Sequence, residues 1–156
     1  MTYLVVKWLH ILSSTVLFGT GLGAAFYMFV ASRTRDVPVI AVVVRSVVIA
    51  DWAVTTPAVI LQPLTGLWLV HLAGFELASP WLILSMGLYL LAGAAWLPVV
   101  WMQIRMREMA ATAVRDGAAL PATYWRYLNA WVALGAVAFS ALVVVFYLMV
   151  AKPTLD

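Results

Sequence analysis

Few side chains in this sequence can carry chemistry, so the short inventory of them is informative. It contains two histidines, His10 and His71, no cysteine, and one acidic residue, Asp51, inside a long apolar stretch. Without cysteine there is no disulfide framework, no thiolate nucleophile and no thiolate-bound zinc, iron-sulfur cluster or c-type haem. A metal would have to be held by His, Met, carboxylate or backbone oxygen. His10 lies near the start of one apolar segment and His71 near the end of the next, which places both at about the same depth. Imidazoles on adjacent helices in one shallow layer can ligate haem iron axially, because a haem standing between helices takes a ligand from each face. The plainer reading puts each ring half hydrated among the lipid headgroups.

Helical phase separates the two histidines. At about 100° per residue, His10 shares a stripe with Ser13, Ser14, Leu17, Gly21, Ala24 and Met28, small or polar residues suited to a bundle interior. The stripe of His71 is Trp68, Leu67, Leu64 and Ile60, opposite a polar stripe of Asp51, Thr55, Gln62 and Gly66. His10 is therefore the better interior ligand, although Pro57 and Pro63 disturb the phase between the two ends of that segment. Lys7, one turn before His10, can neutralise a haem propionate or simply extend to the interface. Gly19 and Gly23 form a GxxxG pattern on the other face of the same helix, where a neighbouring helix or a second subunit can pack closely.

A carboxylate within a membrane span is costly and marks a functional candidate. Asp51 shares a layer with Gln103, Arg126 and Asn129, which suggests an interhelical polar network. A packing role for Asp51 is preferred over a proton relay or a substrate contact. There is no GxGxxG, P-loop, GxSxG or HxxE zinc pattern, and the seven methionines are scattered as core or lipid-facing residues rather than paired.

Composition defines the medium around these residues. The 156 residues are 66% hydrophobic and 10% charged, where a soluble domain carries about 25% charged residues. The lipid bilayer is the main partner, and no polar segment is long enough for a separate soluble domain, so residues 1–156 form a single domain. The net charge of +3 does not indicate nucleic acid, because the basic residues flank apolar segments.

Four segments reach the roughly 20 apolar residues needed to cross about 30 Å of hydrocarbon. They fall at about 8–31, 46–73, 81–103 and 127–150, giving an all-α integral membrane four-helix bundle. The first is too long for a cleaved signal peptide and lacks an A-x-A site. Residues 39–45 are expected to be interfacial, the two prolines to kink the second helix, and residues 105–116 to prolong the third beyond the membrane until Gly117 and Pro121 break it. Of nine Lys and Arg residues, all but Lys7 and Lys152 flank the first and third connections, and 74–79 has none. The positive-inside rule then puts those two connections in the cytoplasm and both termini on the extracytoplasmic side of a bacterial inner membrane. Trp8, Trp68 and Trp81 would form the outer aromatic belt, with Trp101 and Trp125 at the opposite interface.

Lys7-Trp8-Leu9-His10-Ile11-Leu12-Ser13 with Phe18-Gly19, Trp96-Leu97-Pro98 leading to Gln103-Ile104-Arg105, and Tyr147-Leu148-Met149-Val150-Ala151-Lys152-Pro153 together resemble a bacterial family of predicted integral membrane proteins of unknown function. That resemblance spans nearly the whole chain. The K-x-x-H start also resembles HemJ-type protoporphyrinogen oxidases, four-helix membrane proteins that bind b-type haem through a first-helix histidine. This resemblance implies His10 as the iron ligand. The chain departs from those enzymes after helix one, reading Ala25-Phe26-Tyr27-Met28-Phe29-Val30-Ala31 where they have a P-R-L-F-V-Y-H-like segment.

The leading expectation is a membrane protein binding haem b. It would serve electron transfer or act as an oxidoreductase on a quinol or porphyrin, with His10 as ligand, His71 as second ligand or neighbour and Lys7 at a propionate. One rival is a cofactor-free accessory protein in a homo-oligomer or larger membrane complex. Another is a small oligomeric transporter using Asp51, Gln62 and the two prolines.

Overall fold

In lipid every backbone polar group must find its partner within the protein, so long apolar runs coil into helices. The computed structural model describes residues 1–153 and contains, among them, four helical spans. Helix α1 is Thr2–Thr34. The second span comprises α2, Val37–Ala50, a π-helical turn over Asp51–Thr55, and α3, Thr56–Ala73. Helix α4 is Pro80–Asp116 and α5 is Ala122–Ala151. Each helix outruns the apolar segment that announces it, because the helix continues into the interface after the hydrocarbon ends.

The boundaries have local causes. Arg35 adopts left-handed geometry at φ 58 to close α1, and the Asp36 carboxylate caps α2 by accepting from the Val39 amide at 3.1 Å. Gly74 at φ 70 and Gly117 at φ 60 close α3 and α4, a conformation in which glycine carries no Cβ penalty. Pro57 has no N–H to donate to the carbonyl four residues back, and the irregularity falls just upstream as the π-turn. There the Thr56 amide reaches the Asp51 carbonyl and the Thr56 hydroxyl donates to the same oxygen at 2.8 Å.

That turn changes the partner of the second span. Before it, α2 packs mainly on α4; after it, α3 packs mainly on α1, while α4 and α5 form an extensive antiparallel pair. The main core lies at the arginine-rich end. Met28 and Ala31 of α1 and Ile40, Val44 and Val47 of α2 meet Val99, Met102, Met106 and Ala110 of α4, and Tyr124, Leu128 and Trp131 of α5. A smaller cluster of Val70, Trp81 and Leu82 closes the other end. Lys152, at the end of α5, sits over the Phe75 ring at 4.5 Å, so the end of the last span lies beside the α3–α4 connection. Large apolar side chains remain outside, among them Leu22, Phe26, Phe29, Ile60, Leu64 and Trp101, forming the surface that lipid covers.

Candidate functional site

Two polar clusters lie within the spans. The first joins α1 to α3. Nδ1 of His10 stands 2.8 Å from Oγ1 of Thr65, and the Thr65 hydroxyl donates to the Leu61 carbonyl at 2.6 Å. A hydroxyl has one proton, and a carbonyl only accepts. The direction of the bond to the imidazole depends on the tautomer: when the Thr65 proton goes to the Leu61 carbonyl, Nδ1–H donates to Thr65 and Nε2 keeps its lone pair. Nε2 has no hydrogen-bond partner among the described residues. The ring rests on Gly66, where an added Cβ would come within 3.2 Å of Cε1 and 3.8 Å of Nδ1. Gln62 anchors the same seam by donating to the His10 carbonyl at 2.9 Å and to the Ser13 hydroxyl at 2.7 Å.

The second cluster ties the π-turn to α4 and α5. The carboxamide of Gln103, wholly buried, donates from Nε2 to Oδ2 of Asp51 and accepts at Oε1 from the indole N–H of Trp131 at 3.1 Å. Indole is a donor only, so it fixes which end of the amide faces Asp51. The Thr55 hydroxyl oxygen, in the same π-turn as Asp51, is buried and has no hydrogen-bond partner among the described residues.

The other residues singled out by sequence lie apart. His71 is exposed, with Ile60, Leu64, Leu67 and Trp68 on the same outward side, and the polar side of α3 faces α1. The expectation of equal depth also changes. His10 pairs with Thr65, six residues before His71, which corresponds to about 9 Å along the helix. The structure therefore does not bring the two histidines together. Lys7 is exposed, its ammonium 5.7 Å from the centre of the Tyr3 ring. Of the expected network, Asp51 and Gln103 meet; Arg126 and Asn129 are exposed on α5, where Arg126 donates to Thr123 at 3.1 Å.

Thr65 and Trp131 were not legible as participants. For Thr65 the available signal was its place beside Gly66 in a polar run otherwise surrounded by leucines. For Trp131 it was a tryptophan inside a span rather than at the interface, where a buried N–H needs an acceptor.

Of the two histidine rings, only that of His10 has a hydrogen bond to another side chain among the described residues. An imidazole that binds metal through one nitrogen usually donates its other N–H to a fixed acceptor, and His10 has that arrangement toward Thr65. Among the described residues no group of three or more His, Cys, Asp or Glu side chains is assembled for a metal ion. No curated protein and no solved structure matches the chain. A family model described as a predicted integral membrane protein (DUF2269) matches residues 4–153, nearly the entire sequence, and the chain belongs to that family.

Proposed function

We propose that the protein is a b-type haem protein of the membrane, serving electron transfer or a redox reaction on a hydrophobic substrate such as a quinol or a porphyrin. The observation that carries this reading is the contact of His10: Nδ1 lies 2.8 Å from Oγ1 of Thr65, and with the Thr65 proton on the Leu61 carbonyl the ring would donate Nδ1–H and keep the Nε2 lone pair that an axial ligand requires. Bound haem would supply one-electron chemistry at its iron. The chain would supply Nε2 of His10 as ligand, Thr65 to set the tautomer and ring angle, Gly66 as the surface on which the ring lies, and Lys7 to meet a propionate near the interface.

Because His71 faces away, the reading gives one imidazole per chain and leaves the second axial position open to water, substrate or a second subunit. The test is spectroscopic. Protein purified in mild detergent after expression with ample haem, or reconstituted with haemin, should show a Soret band that is lost in His10→Ala and retained in His71→Ala. Wild-type protein that stays colourless after reconstitution would end this reading.

A second reading rests on a different observation. At Gly19 and Gly23 an added Cβ meets nothing within 4 Å among the described residues, so the GxxxG positions of α1 leave room for a close neighbour. This favours an accessory protein docked on another helix of a membrane complex or on a second copy. Cross-linking through cysteines placed at Gly19 and Gly23 in native membranes would reveal such a neighbour, and a colourless protein with a strong cross-link would favour this reading over the first.

A further inference from the structure

Asp51 is the sole charged side chain in the hydrophobic parts of all four spans. None other occurs between Ile11 and Ser32, Ser46 and Val70, Trp81 and Ile104, or Tyr127 and Ala151. Its carboxyl is buried and has no cation beside it; among the described residues the salt bridges are Arg105 with Glu108 and Arg115 with Asp116, both exposed. Of the titratable groups on the neighbouring spans, His10 bonds Thr65, Arg45 is exposed, the buried Tyr124 hydroxyl has no hydrogen-bond partner, and no tyrosine bonds Asp51 among the described residues. The Tyr89 hydroxyl donates to the Val59 carbonyl at 2.6 Å, Tyr127 stacks beside Trp101, and Tyr27 and Tyr147 are exposed.

The hydrogen bonds at this carboxyl are directional. Trp131 donates to Gln103, and Gln103 donates to Oδ2, so the chain of donors ends on Asp51. Oδ2 accepts whether the group is a carboxylate or an acid carbonyl. Oδ1 takes no hydrogen bond among the described residues, and the buried Thr55 hydroxyl, four residues on in the same π-turn, is also without a partner there. A hydroxyl serves either state: it donates to a carboxylate oxygen and accepts from a carboxylic acid.

We propose that Asp51 is a reversible proton-binding site within the membrane, its Oδ2 held by the Trp131–Gln103 donor chain and its Oδ1, which takes no hydrogen bond among the described residues, the oxygen that gains and loses the proton. The proton comes from and returns to bulk water, and no other bond changes. The site sits in the π-turn where the second span leaves α4 for α1, so its charge state acts on the junction between the two packing partners.

Infrared difference spectroscopy of the full chain in lipid reads this directly. A carboxylic-acid C=O band should be present at the acid end of the stability range and absent at the alkaline end, shift on transfer to D2O, and vanish in Asp51→Asn. Gln103→Leu removes a donor that binds the anion more strongly than the acid, so the midpoint of that band should move up by about one pH unit. Should Asp51→Asn fail to fold, carbon-13 labelling of aspartate in the wild-type protein identifies the band, with Asp36→Asn and Asp116→Asn removing two water-exposed contributions. An Asp51 band that is present at every pH, or at none, would overturn the proposal and leave a fixed structural carboxyl. None of these measurements requires bound haem.

Discussion

The Nδ1 atom of His10 and the Oγ1 atom of Thr65, 2.8 Å apart, form the one side-chain bond the histidine ring makes among the described residues, and it crosses from the first span to the second. It ties the tautomer of His10 to the rotamer of Thr65. Thr65→Val preserves shape and removes the acceptor, whereas Thr65→Ser preserves the acceptor. We expect Thr65→Val to lower stability in detergent by about 0.6–1.7 kcal/mol, the measured span for interhelical bonds in membranes. With His10 as the proposed haem ligand, it should also weaken haemin binding by about 10–100-fold, as loss of an orienting partner does at metal-bound histidines. Thr65→Ser should remain near wild type in both measurements. Equal behaviour of the two variants would show that the hydrogen bond contributes nothing beyond side-chain volume.

Gly66 provides a steric test of the same seam. A Cβ there would lie 3.2 Å from Cε1 of His10, while at Gly19 or Gly23 it would meet nothing within 4 Å. Alanine is the better helix former by about 1 kcal/mol, so all three substitutions share a favourable local term. Gly66→Ala should nevertheless have a lower melting temperature than Gly19→Ala or Gly23→Ala, because it must displace the ring and stretch the bond to Thr65. Equal melting temperatures would mean that the ring yields without cost.

Gln103 stands between Trp131 and Asp51, so removing any one of the three strands a buried polar atom. An orphaned buried group costs about 1–3 kcal/mol, while deleting two partners together adds little further loss. Trp131→Phe and Gln103→Leu, which remove the two partners of one hydrogen bond, should each destabilise the protein, with the double variant less destabilised than their sum. Asp51→Asn keeps an acceptor for Gln103 and should fold. Thermal melts in one detergent decide this, and strict additivity would show that the two residues do not act as a unit.

What was legible from sequence follows what each signal depends on. Four spans were readable because a bilayer demands length and apolarity in one continuous stretch. The outward face of α3 was readable from Ile60, Leu64, Leu67 and Trp68, which recur at helical spacing and are exposed. The depth of His71 was not, because it depends on which residues pair across the α1–α3 interface, and Thr65 rather than His71 meets His10. Arg126 and Asn129 share a layer with Gln103 but not a direction. Starting from Trp131, which does face Gln103, they lie about 140° and 200° around the helix axis at 100° per residue. Two prolines announced a disturbance in the second span, yet the sequence did not indicate that it would take the form of a π-turn beginning at Asp51.

The direction of insertion is the last prediction, and it separates charge from geometry. Four antiparallel spans bring the N-terminus and Lys152 to one end, opposite the two connections flanked by Arg33, Arg35, Arg45, Arg105, Arg107, Arg115 and Arg126. At that end Arg35 lies over the Trp125 ring at 4.1 Å, an aromatic contact that suits the interface. Residues 74–79 at the opposite end carry Glu76 and no Lys or Arg. Basic residues in short loops are retained in the cytoplasm, so the termini should lie outside. A phosphatase fused after Lys152 should be active and a fluorescent protein that folds only in the cytoplasm should stay dark, with the reverse for fusions at Gly117. Replacing Arg33, Arg35 and Arg45 with glutamine while adding three lysines within 74–79 should produce a mixed or inverted population. A fluorescent, phosphatase-negative C-terminus in the wild-type protein would reverse the orientation while leaving the helix packing and both polar clusters as described.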